Sequence, residues 1–156
     1  MADWIEPGAA APAFMLTADD GSQVRLADQA RSPVVLYFYP ADDTPGCTKE
    51  ACAFRDAAGE LKTLGAKVFG VSPDDEASHA AFRDKHRLNF PLLVDADHKV
   101  ADAYGAWREK NLYGKKSMGV QRSTYLIDAE GKVAHVWKRV QVDGHDHQVL
   151  AALRAL

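Results

Sequence analysis

Cysteine is scarce in this 156-residue chain: Cys47 and Cys52 are the only two. With four residues between them, they do not form a Cys-x-x-Cys pair, and no His-Glu-x-x-His is present. The common zinc signatures are therefore absent. The chain also lacks a Gly-x-Gly-x-x-Gly or phosphate-binding loop, so no nucleotide cofactor is implied. A basic excess is missing too: the net charge is -3 and the pI is near 6.0, which speaks against nucleic acid as a partner. The longest apolar run, residues 34–39, has strand length and falls far short of the roughly 20 residues of a membrane helix. Residues 1–7 show no basic region followed by an apolar stretch, so no secretory signal is expected and a cytoplasmic location is. In such a chain two cysteines are poorly explained as a structural staple, and redox chemistry or metal binding is the better expectation.

What is present reads as one compact unit. Hydrophobic residues make up 47% and charged residues 26% of the chain, an ordinary globular composition. No linker, repeat or low-complexity stretch interrupts it, so a single domain over residues 1–156 is expected. Residues 14–18 and 23–26 flank Asp19-Asp20-Gly21-Ser22 and read as a β-hairpin. Val34 to Tyr39 is β-branched and aromatic without alternation, as expected of a central strand covered on both faces. Residues 45–64 carry Ala51, Phe54, Ala58 and Leu61 at helical spacing and predict one helix. Strands are expected at 67–72 and 90–94, and a helix over 76–86 capped from Pro73-Asp74-Asp75. A helical stretch follows at 99–104. Residues 123–127 and 133–137 form a second hairpin pattern. A closing helix is expected over 147–156, with Asp146 as a possible cap. This order predicts an α/β, thioredoxin-like fold: a central mixed sheet flanked by helices, with an N-terminal β-hairpin.

The chemistry concentrates in residues 40–52. Thr44 is placed as N-cap and Pro45 as first helical residue, where its missing N–H costs little. Cys47 then falls in the first turn, where unpaired backbone N–H groups and the positive end of the helix dipole favour an anion. The thiolate is the reactive form of cysteine. The Thr44 hydroxyl is expected to accept from the Cys47 amide, and can also donate to the sulfur or to an oxidant. Pro40 ends the strand, and its ring is expected to shield the pocket. On a continuous helix, residues five apart have Cα atoms roughly 8.6 Å apart, beyond the ~7 Å limit for a disulfide. A Cys47–Cys52 bond would therefore need the first turns to unwind, and two conformations are expected. The plain alternative for Cys52 is a small apolar residue on a helix.

Pro40-x-x-x-Thr44-x-x-Cys47 resembles the peroxiredoxin active-site pattern. The longer string Tyr39-Pro40 through Thr44-Pro45-Gly46-Cys47-Thr48, with Glu50, resembles the bacterioferritin comigratory protein, or Q-type, branch. A second block, residues 113–128, resembles that branch's Tyr-Gly-Lys, Gly, Arg-Ser-Thr-Phe-Leu-Ile-Asp pattern, with Tyr125 in place of Phe. The resemblance spans essentially the whole chain. It implies an atypical 2-Cys thiol peroxidase acting on hydrogen peroxide and organic hydroperoxides. Cys47 would be the peroxidatic cysteine that becomes a sulfenic acid, and Cys52 the resolving cysteine of an intramolecular disulfide. A thioredoxin or glutaredoxin system would be the reductant. Arg122 would be the active-site arginine, Thr44 and Pro40 would shape the pocket, and Glu50 would orient arginines or lie on a solvated helix face. No haem, metal or flavin is implied, and a monomer is expected. Two alternatives stand beside it: a general thiol–disulfide oxidoreductase on the same fold, and a redox-sensing interaction module.

Other clusters carry less. Six histidines are present, with Gly144-His145-Asp146-His147 the densest group, read as a solvated loop. His79 and His86 share a helix face but not a site. Lys115-Lys116 is too small for a nucleic-acid patch. Trp4, Trp107 and Trp137 are read as packing residues.

Overall fold

The computed structural model describes residues 2–156. Along the chain lie β1 (Met15–Ala18), β2 (Gln23–Arg25), β3 (Val34–Phe38), α1 (Pro45–Asp56), α2 (Ala58–Thr63), β4 (Lys67–Ser72) and α3 (Glu76–His86). Then follow β5 (Leu92–Val94), α4 (Lys99–Ala103), β6 (Trp107–Leu112), β7 (Lys115–Val120), β8 (Ser123–Ile127), β9 (Val133–Trp137) and α5 (His145–Arg154). Among the described residues, seven strands form one mixed sheet in the order β2-β1-β5-β4-β3-β8-β9, and β6 pairs only with β7.

Every residue of β3 is buried, and the reason is its central position. It runs parallel to β4 and antiparallel to β8, with side chains alternating between two cores. Val35, Tyr37 and Tyr39 join Phe54, Phe82 and Leu126 on one face. Val34, Leu36 and Phe38 join Tyr104, Tyr125 and Ile127 on the other. Each such large apolar side chain contributes on the order of 1.5–3 kcal/mol on burial. A strand covered on both sides shows no polar alternation, as this one does not. Gly70 on β4 has a packing role: a Cβ there would lie 2.8 Å from the Tyr37 hydroxyl and ring, so the Tyr37 ring lies across bare backbone.

The βαβ unit expected from the sequence is β3–α1–α2–β4, and the ββα unit is β8–β9–α5. Beyond shifts of a residue or two at several strand and helix ends, three features differ from the sequence reading. The helix expected over 45–64 breaks at Ala57, whose φ of -86° and ψ of 2° separate α1 from α2. The apolar spacing continues across the break, so periodicity alone does not reveal it. The last helix begins at His145 with Gly144 (φ 77°) as N-cap, without a side-chain cap bond, so Asp146 lies in the first turn instead. The β6–β7 hairpin leaves little hydrophobic pattern in the sequence, because most of its residues are polar and β7 is largely exposed. The capping of α3 is as expected, with Asp75 Oδ1 accepting from the Ser78 amide at 2.8 Å.

Candidate active site

Two sheet neighbours bring the site together. β3 and β8 are antiparallel, with Phe38 opposite Ser123. The end of β3 therefore lies beside the start of β8. Chain leaving β3 turns through residues 39–44 into α1, while Arg122 is the residue immediately before β8. Cys47 on the first turn of α1 and Arg122 thus meet at one edge of the sheet, although 75 positions separate them. The carboxyl ends of sheet strands are the usual place for sites in α/β folds.

Arg122 Nη2 donates to Cys47 Sγ at 3.2 Å. Its Nη1 donates to Glu50 Oε1 at 2.8 Å. The planar guanidinium therefore spans the thiol and a carboxylate with two separate N–H groups, which a lysine ammonium cannot reproduce in that geometry. Cys47 is 1% exposed and Glu50 2%. Glu50 stands one helical turn from Cys47, so both face Arg122. Glu50 Oε2 is buried and has no hydrogen-bond partner among the described residues. Burial pushes the Glu50 carboxyl up to about 7, opposed by its bonds and attraction to Arg122. The sequence left Glu50 open between orienting group and solvated carboxylate; its burial against Arg122 decides for the former. The available signal was its spacing of three from Cys47, which puts both on one helix face.

Gly46 explains how the guanidinium comes so close. A Cβ at that position would lie 3.1 Å from Arg122 Nη2, tighter than side chains ordinarily pack. Pro45 occupies the first turn as expected, and Thr44 is the N-cap residue with extended backbone (φ -91°, ψ 154°). The Thr44 hydroxyl behaves differently from expectation. It makes no side-chain cap bond and instead donates to the Ala41 carbonyl at 3.0 Å. With its proton committed there, the oxygen keeps lone pairs that can accept, and it is not a donor to sulfur. Pro40 is exposed and lies two residues past the end of β3.

Cys52 lies on the same unbroken α1, half-buried, and both cysteines are free thiols. The structure is thus the wound, reduced conformation. Of the sequence-predicted residues, Arg122 contacts both Cys47 and Glu50. Thr44 and Pro40 lie on the chain leading into α1, and Cys52 stands further along the helix. Among the described residues no group of three or more His, Cys, Asp or Glu is arranged to hold a metal ion. No helix among them is long and apolar enough to cross a membrane.

The family described as AhpC/TSA matches residues 7–136. The peroxiredoxin Bcp of Bacillus subtilis strain 168 is 47% identical over 150 residues, covering 96% of both chains. Among solved structures, a mutant of Xanthomonas campestris peroxiredoxin Q superposes with a TM-score of 0.91 at 41% identity, covering 96% of this chain and 98% of that one. A structure of the Xanthomonas campestris bacterioferritin comigratory protein, from work on its alkyl peroxide reduction activity with a trapped intermediate and ligand, superposes with a TM-score of 0.89. It is 41% identical, and the match covers 99% of this chain and 98% of that one.

Proposed function

The chain belongs to the AhpC/TSA family as a peroxiredoxin of the bacterioferritin comigratory, Q-type branch, a thiol peroxidase on a thioredoxin-like fold, and from this we infer that Cys47 is the peroxidatic residue. The observation that carries the reading is the Arg122 Nη2 to Cys47 Sγ contact of 3.2 Å at the start of α1. The Arg122 guanidinium and the first-turn N–H groups of α1 stabilise a thiolate there. The thiolate attacks one peroxide oxygen, an S–O bond forms and the O–O bond breaks. Negative charge grows on the departing oxygen, which leaves as water or an alcohol after taking a proton. The same guanidinium stabilises that charge, an effect often worth about 3–4 kcal/mol for a preorganised donor. The Thr44 oxygen accepts the peroxide O–H, and Glu50 holds Arg122 in orientation. Cys47 is left as a sulfenic acid.

Cys52 then resolves it. Its sulfur attacks the Cys47 sulfur, water leaves, and an intramolecular disulfide forms once the first turns of α1 unwind. A dithiol of the thioredoxin or glutaredoxin kind supplies two electrons to restore both thiols. Hydrogen peroxide and small organic hydroperoxides are the substrate class, and the enzyme works as a cytosolic monomer of one domain over residues 1–156. The near-complete burial of Cys47 favours a small oxidant over exchange with protein disulfides, which would need an exposed sulfur.

The test is mass spectrometry of the reduced protein after one equivalent of hydrogen peroxide, with rapid thiol blocking. A loss of two protons mapped to a Cys47–Cys52 linkage within seconds is expected. Two thiols still alkylated after minutes would overturn the reading and favour the oxidoreductase or the sensor.

A further inference from the structure

Residues 41–44, between β3 and Cys47, are gripped by α3. The Asp42 carboxylate receives three donors. Tyr39 OH donates to Oδ1 at 2.6 Å, Ser78 Oγ donates to Oδ2 at 2.7 Å, and His79 Nδ1 lies 2.7 Å from Oδ2. The Asp42 amide donates to Asp74 Oδ2 at 2.6 Å. One residue on, Asp43 takes Lys85 Nζ at 2.6 Å and His86 Nε2 at 3.0 Å. Asp43 holds a left-handed backbone conformation (φ 55°), a strained state that persists only where surroundings enforce it.

His79 is the buried member of this grip, at 0% exposure. Its other ring nitrogen, Nε2, lies 2.9 Å from the Leu93 carbonyl on β5. A backbone carbonyl accepts and cannot donate, so Nε2 carries a proton. On the opposite side, the Asp42 carboxylate already accepts from Tyr39 and Ser78, and Nδ1 meets it as a third donor. Protons on both ring nitrogens satisfy both contacts. In that form His79 is an imidazolium, paired with a nearly buried carboxylate and tying the Asp42 loop to the sheet through β5.

We propose that His79 is a positioning residue for Cys47: as an imidazolium locked between Asp42 and Leu93, it holds the loop that sets the start of α1. The proposal rests on reading Cys47 as the reacting thiol. Loss of the proton leaves a nitrogen lone pair facing either the Asp42 carboxylate or the Leu93 oxygen. Either way the imidazolium charge beside Asp42 is lost and the hold on the loop weakens, and the loop leads through Thr44 directly into the turn that bears Cys47.

The titratable and charged groups facing His79 are Asp42 from the loop and Asp74 from the turn after β4, with Tyr39 beyond β3. From β5 it meets the Leu93 carbonyl. Burial opposes its charge, but the Asp42 bond, its attraction and the Leu93 contact outweigh that and raise its pKa above the ordinary histidine value. Burial works against the Asp42 charge as well, yet the donors from His79, Tyr39 and Ser78 keep its carboxyl below the usual carboxylate range. For a raised base the sign is plain: while Asp42 stays ionised, the grip is held below the ordinary histidine value and is lost as pH rises through the raised pKa.

The decisive experiment follows the histidine ring nitrogens and the backbone amides of the full-length reduced protein by NMR from pH 6 to 9.5. Both His79 ring nitrogens should be protonated at pH 7. The Gly46 and Cys47 amides should shift with the same midpoint as the ring. A neutral His79 ring at pH 7, or Gly46 and Cys47 amides unmoved through its titration, would overturn the proposal. In parallel, the rate of Cys47 oxidation by hydrogen peroxide should fall on the alkaline side in the unmodified protein. His79→Gln should lose on the order of ten-fold at pH 7 and lack that alkaline fall; a profile superimposable on the unmodified protein's would overturn the proposal. The ring and amide titrations read no activity, so they decide the role of His79 even if the peroxidase reading fails, and they stand if the variant does not fold.

Discussion

Arg122 and Cys47 are in hydrogen-bond contact at 3.2 Å, although neither lies within four residues of the other's secondary-structure element. Their meeting depends on the β3–β8 pairing, and the guanidinium is oriented from the far side by Glu50 at 2.8 Å. Removing the guanidinium should therefore cost reactivity more than fold. Arg122→Gln is expected to lower the second-order rate of Cys47 oxidation by about 10²–10³-fold. Arg122→Lys should recover only part, because one ammonium cannot serve both Sγ and Oε1 in this geometry. Competition kinetics against a thiol of known rate measures both, and an Arg122→Lys rate equal to the unmodified protein's would remove the bidentate role.

Gly46→Ala separates stability from activity. Gly46 is helical, so alanine should stabilise α1 by about 0.5–1 kcal/mol. The added Cβ, 3.1 Å from Arg122 Nη2, should at the same time push the guanidinium off the sulfur and slow peroxide reduction several-fold. Thermal melts and rates on the same preparation test the pair of effects. A variant both more stable and equally fast would show that Arg122 has room to adjust.

Glu50 predicts a pH effect on stability. Its carboxyl is pushed up to about 7 from an ordinary 4.5 by burial, against the pull of Arg122. Between pH about 4.5 and about 7 the native protein therefore holds a proton that the unfolded chain has released. The stability from that proton is full below the unfolded value and is lost as pH rises through about 7. Glu50→Gln has no such titration and still offers an oxygen to Arg122 Nη1. Relative to the unmodified protein, the variant should gain on the order of 1–3 kcal/mol between pH 5 and 8. Denaturant unfolding at both pH values measures it, and equal pH responses in the two proteins would mean that Glu50 does not titrate in this window.

The oxidised state should differ locally. The Cys47–Cys52 bond requires the early turns of α1 to open, so amides of residues 48–54 should exchange faster after oxidation while those of α5 keep their protection. The Lys49–Asp143 ion pair between α1 and the chain before α5 is exposed on both sides, 64% and 81%, and a pair of that kind contributes little, so it should not prevent opening. In Cys52→Ser, one equivalent of peroxide should still be consumed, with no intramolecular disulfide and no acceleration of exchange. Unchanged exchange in the oxidised unmodified protein would mean that the bond forms without unwinding.

Local chemistry was legible in the sequence because it is carried by neighbours along the chain. The Thr44-Pro45-Gly46-Cys47 start of α1, the Asp75 cap of α3, the buried run of β3 and the β8–β9 hairpin all follow from propensity, capping and spacing within a few residues. The i+5 placement of Cys52 predicts a wound reduced form and an unwound oxidised form, and the structure is the first of these. What the sequence did not determine lies across the sheet or across the loop. Arg122 meets Cys47 because β8 pairs with β3, and the buried Glu50 finds its partner in the same guanidinium. The Thr44 hydroxyl turns to Ala41 instead of capping the helix. The histidine with most to do is not in the dense group near residue 145 but His79, whose partners come from a loop 37 positions away and from β5. Each of these depends on desolvation and on hydrogen-bond partners that only tertiary packing supplies, and spacing along one chain does not encode which side chains will be taken out of water together.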